Sequence, residues 1–136
     1  MQVATQNVPV ARRWALNLYL VLAGLVLLGI FLQGFLIGAF LFGGAEWGVA
    51  AHSFVGLGLL VASLLLALVG LAAHRSGKMK LWGFLFFALV IVQMALAGIR
   101  GSAPLVAALH PANALLLFGL NLYLIWQTVQ LMRNNA

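Results

Sequence analysis

The chain has 136 residues, of which 65% are hydrophobic and 6% are charged, and its mean hydropathy is +1.17. These values exclude a soluble globular domain of this length and indicate an integral membrane protein. Cysteine is absent, which excludes disulfides, iron–sulfur clusters, and heme that is thiolate-ligated or covalently attached. The net charge of +6 comes from cations that flank apolar stretches and form no patch, so nucleic-acid binding is not expected.

Four apolar stretches are long enough to cross a bilayer, since a spanning helix needs about 20 mainly apolar residues. They cover residues 14–42, 49–73, 81–99 and 105–132. The runs are continuous and lack the alternation of a membrane β-barrel, so helices must satisfy the backbone in lipid. We therefore predict an all-α fold, in which residues 1–136 form a single four-helix transmembrane bundle.

The basic residues predict the orientation, because short loops rich in Lys and Arg stay in the cytoplasm. The opposite side holds only Arg100 and the single acid, Glu46. Both termini are therefore predicted to be cytoplasmic, and the expected location is a bacterial inner (plasma) membrane. The six cations on the predicted cytoplasmic side are Arg12, Arg13, Arg75, Lys78, Lys80 and Arg133.

A short pattern repeats in the first and third predicted helices. Gln33 is followed five positions later by Gly38, and Gln93 is followed at the same distance by Gly98. The next predicted helix supplies a histidine, 19 residues after the first glutamine and 17 residues after the second. Two repeated helix hairpins would place the histidine-bearing helices opposite each other in the bundle. Short matches between Leu-rich and Gly-rich segments also arise by chance, so the pattern alone leaves the repeat open.

The two histidines are His52 and His110, and each precedes by 23 residues the basic residue that closes its apolar stretch, Arg75 or Arg133. Two parallel helices would then hold both imidazoles at one depth, as a heme ligated from both faces requires. An ionisable residue inside a membrane span is a candidate for function. For each histidine taken alone, a structural or interfacial role is also open. Their matched depth favours joint ligation of a metal cofactor.

Other residues could support such a cofactor. Arg100 could pair with a heme propionate on the outer side, or it could be an ordinary loop arginine. Gln33 and Gln93 must find polar partners, either across helices or on the cofactor. Gly56, one turn after His52, could make room for a flat macrocycle.

Three further polar residues are given bland expectations. His74 has no partner histidine at its depth and is expected to be a solvated loop residue. Tyr19 and Asn121 lie near the cytoplasmic ends of the first and last helices and are expected to be interfacial anchors.

The two Gln-x4-Gly patterns, each followed by a histidine at the start of the next helix, resemble one four-helix half of heme A synthase, and also small uncharacterised four-helix membrane proteins of related pattern. In that family the second and fourth helices of each half carry the heme-ligating histidines near the outer surface. The resemblance covers nearly the whole chain and implies that His52 and His110 are axial ligands. The catalytic half of the family has a glutamate three residues before its histidine and an arginine directly after it. Here those positions hold Val49 and Ser53, so catalysis of heme oxidation is not expected.

The predicted function is single-electron transfer by a membrane-embedded heme b with two histidine ligands near the outer face. A quinol or another membrane redox protein would be its partner, and the surrounding lipids would contact the helices. The leading alternative is a cofactor-free or pigment-binding accessory subunit of a respiratory or photosynthetic complex, whose histidines would ligate a chlorophyll magnesium or bond across helices. A small transporter or channel is a third possibility, which the scarcity of intramembrane acids disfavours.

Overall fold

The structure is a computed structural model that describes residues 9–134. Within these residues the regular secondary structure is helical, and four helical spans are long and apolar enough to cross a membrane. The predicted all-α membrane fold is thus confirmed at this level. The elements in chain order are α1 (Val10–Gly43), α2 (Trp47–Ala73), α3 (Gly77–Gly98), the single turn α4 (Pro104–Ala107) and α5 (Leu109–Arg133).

The last membrane span is divided into α4 and α5, whereas the sequence predicted one continuous helix. Pro111 lacks an N–H group, so it cannot bond the carbonyl of Ala107 as a continuous helix would require. In the structure Pro111 instead lies in the first turn of α5, where no intrahelical donor is needed. The break at Ala108 therefore places His110 in the first turn of a new helix.

Helix α1 begins at Val10, so it includes Arg12 and Arg13 in its first turn, which the sequence had placed before the helix. It ends where Gly44 adopts a left-handed conformation, with φ of 64°. This conformation, which glycine adopts without steric cost, turns the chain toward α2 within three residues.

The four long helices form a bundle in which each contacts two neighbours. Helix α1 packs on α2 and α5, and α3 packs on the other sides of the same two helices. Consequently α2 and α5, which carry the two histidines of interest, are diagonally opposite across the bundle.

The tightly packed core lies in the half of the bundle that contains the start of α1. Tyr19, Leu66, Phe86 and Leu124, one from each long helix, are completely buried there. Asn121 is also completely buried, and its side-chain amide donates to the carbonyl of a residue on α1 at 2.9 Å. The expectation that Tyr19 and Asn121 are interfacial anchors is therefore wrong, because both point into the bundle.

Helices α1 and α2 approach most closely near their connecting loop, at Gly48. A Cβ atom on Gly48 would lie 2.6 Å from the backbone oxygen of Leu36 and 3.3 Å from Cβ of Phe40. Neither of these atoms is at the end of a flexible side chain, so any larger residue must push the two helices apart. Small residues commonly permit such close approaches between membrane helices.

We predict that Gly48→Ala lowers the stability of the bundle by about 1–3 kcal/mol, the usual cost of overpacking. The matched control is Gly58→Ala on the same helix, where an added Cβ meets nothing within 4 Å. Thermal unfolding in detergent, followed by circular dichroism, measures both variants. Equal melting temperatures for the two variants would contradict the close crossing.

Candidate cofactor site

A cavity of about 800 Å³ occupies the half of the bundle away from the packed core. Side chains of all four long helices line it, and most are apolar. Its size lies within the range of about 300–1,000 Å³ that is usual for ligand and cofactor sites. Phe31 and Phe35 of α1 and Leu115 of α5 line the cavity and are also largely exposed on the bundle surface. The cavity wall between α1 and α5 therefore faces the surrounding lipid.

His52 and His110 face each other in this cavity. Their ring centroids are 6.1 Å apart, and the ring planes are inclined at 50°. The two rings come from diagonally opposite helices, so no neighbouring helix separates them. The structure thus brings together the two histidines that the sequence singled out.

Both imidazoles are held by the same kind of hydrogen bond. Nδ1 of His52 lies 3.1 Å from the backbone oxygen of Gln33, and Nδ1 of His110 lies 3.0 Å from the backbone oxygen of Gln93. A carbonyl oxygen only accepts, so each Nδ1 must carry the proton and donate it. In the neutral ring Nε2 then has a free lone pair. This is the tautomer of a histidine that ligates a metal through Nε2, with its other nitrogen bonded to a backbone carbonyl.

The glutamine side chains differ between the two halves of the site. Oε1 of Gln93 accepts a hydrogen bond from Nδ2 of Asn113 at 2.8 Å. Oε1 of Gln33 is buried and has no hydrogen-bond partner within residues 9–134. Both side chains line the cavity, so Gln33 offers it an unused acceptor.

Gly56 also lines the cavity and is buried. A Cβ atom at this position would lie 3.1 Å from Nε2 of Gln33 and 3.7 Å from Sδ of Met94. Glycine therefore leaves space for the Gln33 amide and the methionine to reach the cavity wall.

Three predicted site residues do not line the cavity. Arg100 is exposed and donates through a terminal guanidinium nitrogen to the oxygen of Ala97 at 3.1 Å. Gly38 has only an ordinary contact with a neighbouring side chain of its own helix, and Gly98 faces open space. Ala97 itself lines the cavity, so Arg100 lies three residues beyond its edge.

Sequence reasoning assigned no supporting role to Asn113, which is 7% exposed. Its Nδ2 donates both to the Gln93 side chain and to the backbone oxygen of Leu89, at 3.0 Å. This side chain ties the start of α5 to α3 beside His110. The available signal was its position three residues after His110, on the same helix face.

His74 is 3% exposed, which makes the prediction of a solvated loop residue wrong. Its ring packs edge-on against Tyr19, with centroids 4.8 Å apart, and its Nε2 lies 3.3 Å from Oγ1 of Thr128. His74 closes the packed end of the bundle and lies far from the histidine pair along α2.

The residues that the structure describes contain no group of three or more His, Cys, Asp or Glu side chains placed to hold a metal ion. The histidine pair supplies two nitrogen ligands. A bare metal ion usually takes four or more ligands, whereas a metal within a macrocycle needs only two axial ones. The pair is suited to the second case.

Comparison of this chain with models of protein families, with curated proteins and with solved structures finds no match.

The hydrogen bonds predict opposite tautomers for different histidines. Thr128 donates its hydroxyl proton to the oxygen of Leu124 at 2.8 Å, so it must accept from Nε2–H of His74. In heme-free protein at alkaline pH, ¹⁵N NMR should show His52 and His110 protonated on Nδ1 and His74 protonated on Nε2. A common tautomer for all three rings would contradict this hydrogen-bond assignment.

Proposed function

We propose that this chain is a membrane-embedded heme b protein that transfers single electrons, with His52 and His110 as the two axial ligands of the iron. The observation that carries the proposal is the facing imidazole pair at 6.1 Å between ring centroids. It is supported by the tautomer that the two backbone carbonyls impose on the rings.

The spacing of the pair agrees with ligation of one metal from two sides. A metal–imidazole nitrogen bond is about 2 Å long, and the nitrogen lies about 1 Å from the centre of its ring, so two such ligands span about 6 Å between centroids. The 50° inclination is compatible with axial ligation, since each ring can rotate about its own bond to the metal.

The cavity also suits a large flat macrocycle. Its volume of about 800 Å³ and its apolar lining are appropriate for a tetrapyrrole, and Gly56 keeps side-chain bulk away beside His52. The acceptor of Gln33 is the one unused polar group known to line the cavity, and we assign it to contact with the cofactor. Arg100 remains a predicted partner for a propionate, at the nearby outer rim.

The roles of the protein groups follow from this arrangement. The carbonyls of Gln33 and Gln93 orient the two rings and raise the basicity of the ligating nitrogens. The apolar helices exclude water and lower the local dielectric constant. A heme bound through both imidazoles supplies reversible one-electron oxidation and reduction, with no open position for oxygen.

We further propose that both termini are cytoplasmic and that the heme site lies toward the outer face of a bacterial inner membrane. The asymmetry of the cations supports this orientation, because six of them lie at the end of the bundle opposite to the histidine pair. The redox partner would then be a quinol in the bilayer or another membrane redox protein.

The two hairpins are proposed to be structural repeats, as in one half of heme A synthase. Support comes from two hydrogen bonds of the same type, His52 to the Gln33 carbonyl and His110 to the Gln93 carbonyl. Each links the first turns of one helix to the last turns of the helix that precedes it in its hairpin.

A reduced-minus-oxidised absorption spectrum of the detergent-purified protein tests the heme proposal. We expect the sharp α and Soret bands of a low-spin b-type heme. His52→Ala and His110→Ala should each lose the heme or convert it to a high-spin form, whereas His74→Gln should retain the low-spin spectrum.

A colourless but monodisperse wild-type protein, after expression with added heme precursor, would refute the heme proposal. A magnesium pigment in the same cavity, or unchanged assembly of His110→Ala into a larger complex, would favour the accessory-subunit alternative.

The orientation can be tested because the chain has no cysteine. Ser102→Cys lies in the loop near the histidine pair, and Ser76→Cys lies in the loop between α2 and α3. We expect an impermeant thiol reagent to label position 102 in intact cells and position 76 only after permeabilisation. The reverse pattern would contradict the proposed topology.

A further inference from the structure

A second pocket lies at the opposite end of the bundle from the histidine pair. Its volume is about 460 Å³, and it is bounded by the first turn of α1, the end of α2, the α2–α3 loop and the first turn of α3. We call it the basic pocket, because Arg12, Arg75 and Lys80 all line it.

The cations of the basic pocket have no acidic partner. Glu46 is the only acid of the chain and lies at the other end of α2. Arg12 donates through Nε to the oxygen of Ala73 at 3.2 Å, which fixes its guanidinium beside the pocket. Its two terminal nitrogens have no hydrogen-bond partner within residues 9–134. These donors are therefore available to a ligand.

The helix termini add to the positive potential. The starts of α1 and α3 both contribute to the pocket, and the N-terminus of a helix carries a partial positive charge. Neither N-cap residue, Pro9 or Ser76, forms a side-chain capping bond, and neither first turn contains an acidic residue. Cations at these positions repel the helix dipoles unless an anion lies between them.

His74 supplies a buried polar group at the edge of the same pocket. Because its Nε2–H donates to Thr128, its other nitrogen, Nδ1, is left without a partner in the described part of the chain. Burial, and secondarily the charge of Arg12, lower the pKa of His74 below its usual value. A bound anion would offset both effects, and protonated Nδ1 could then donate to it.

We propose that the basic pocket binds a phosphate group. Three unpaired cations, two helix N-termini and the free Nδ1 of a buried histidine converge on one cavity that has no acid. Phosphate oxygens accept bonds from several such donors at once, and basic pockets between membrane helices bind phosphate-bearing headgroups in this way. The phosphate comes from an anionic lipid headgroup or from solution, and the two sources can be separated by experiment.

Lipid binding is tested by native mass spectrometry of delipidated protein titrated with phosphatidylglycerol or with phosphatidylcholine. Arg12→Gln/Lys80→Gln removes two pocket cations. The matched control, Arg13→Gln/Lys78→Gln, removes two exposed cations that belong to the same helix turns but do not line the pocket. At about fivefold for each cation, we expect the pocket pair to weaken phosphatidylglycerol binding by roughly 30-fold and the control pair to have little effect.

Binding of free phosphate is tested by NMR titration of His74 in neutral detergent, with and without inorganic phosphate. A bound anion should raise the pKa of His74, and the pocket variant should lose this response. Selective retention of phosphatidylglycerol without a response to inorganic phosphate assigns the site to a lipid headgroup, and the converse assigns it to free phosphate.

The proposal is overturned if neither probe binds the wild-type protein. It is also overturned if the pocket pair and the control pair weaken binding equally, since the attraction would then be a property of the whole charged face. Both variants should first be shown to be monodisperse and helical, so that loss of binding is not loss of fold.

Discussion

Polar groups inside a bilayer must find their hydrogen-bond partners within the protein, and this constraint organises the whole bundle. The partner here is repeatedly a backbone carbonyl, because a carbonyl oxygen has a second lone pair after its helical bond is made. His52 and His110 each use one from the preceding helix, and the amide of Asn121 uses one from α1. The same bonds therefore join neighbouring helices and set the direction in which the functional rings point.

Hydropathy was sufficient to predict the four spans, because each apolar run is long and bounded by loops or charge. Equal spacing to a basic residue was sufficient to place His52 and His110 at one depth. Which face of a helix points inward could not be predicted in the same way, since both faces are apolar when the solvent is lipid. For that reason His74 and Tyr19 were expected at the surface, although both are buried. The break at Ala108 was also missed, because an apolar run conceals it.

The bundle divides its interior between two tasks. One half is filled by large side chains from all four helices, and the other half encloses the cavity with the histidine pair. Within the cavity the two hairpins are alike in their histidine bonds but differ in their glutamines. Asn113 occupies the Gln93 acceptor, whereas the Gln33 acceptor is unused within the described residues. The side of the site near α1 is thus the one that can discriminate between ligands by a hydrogen bond.

The length of α1 determines how the site can be approached. Its 34 residues extend over about 51 Å at 1.5 Å per residue, well beyond the roughly 30 Å of a hydrocarbon core. Gln33, which fixes the level of the histidine pair, lies ten residues before Gly43 and so about 15 Å below the end of this helix. A water-soluble electron donor docked on that end would be held away from the imidazoles by three turns of helix. Lateral diffusion in the bilayer gives a hydrophobic donor a shorter route, along the lipid-facing wall between α1 and α5.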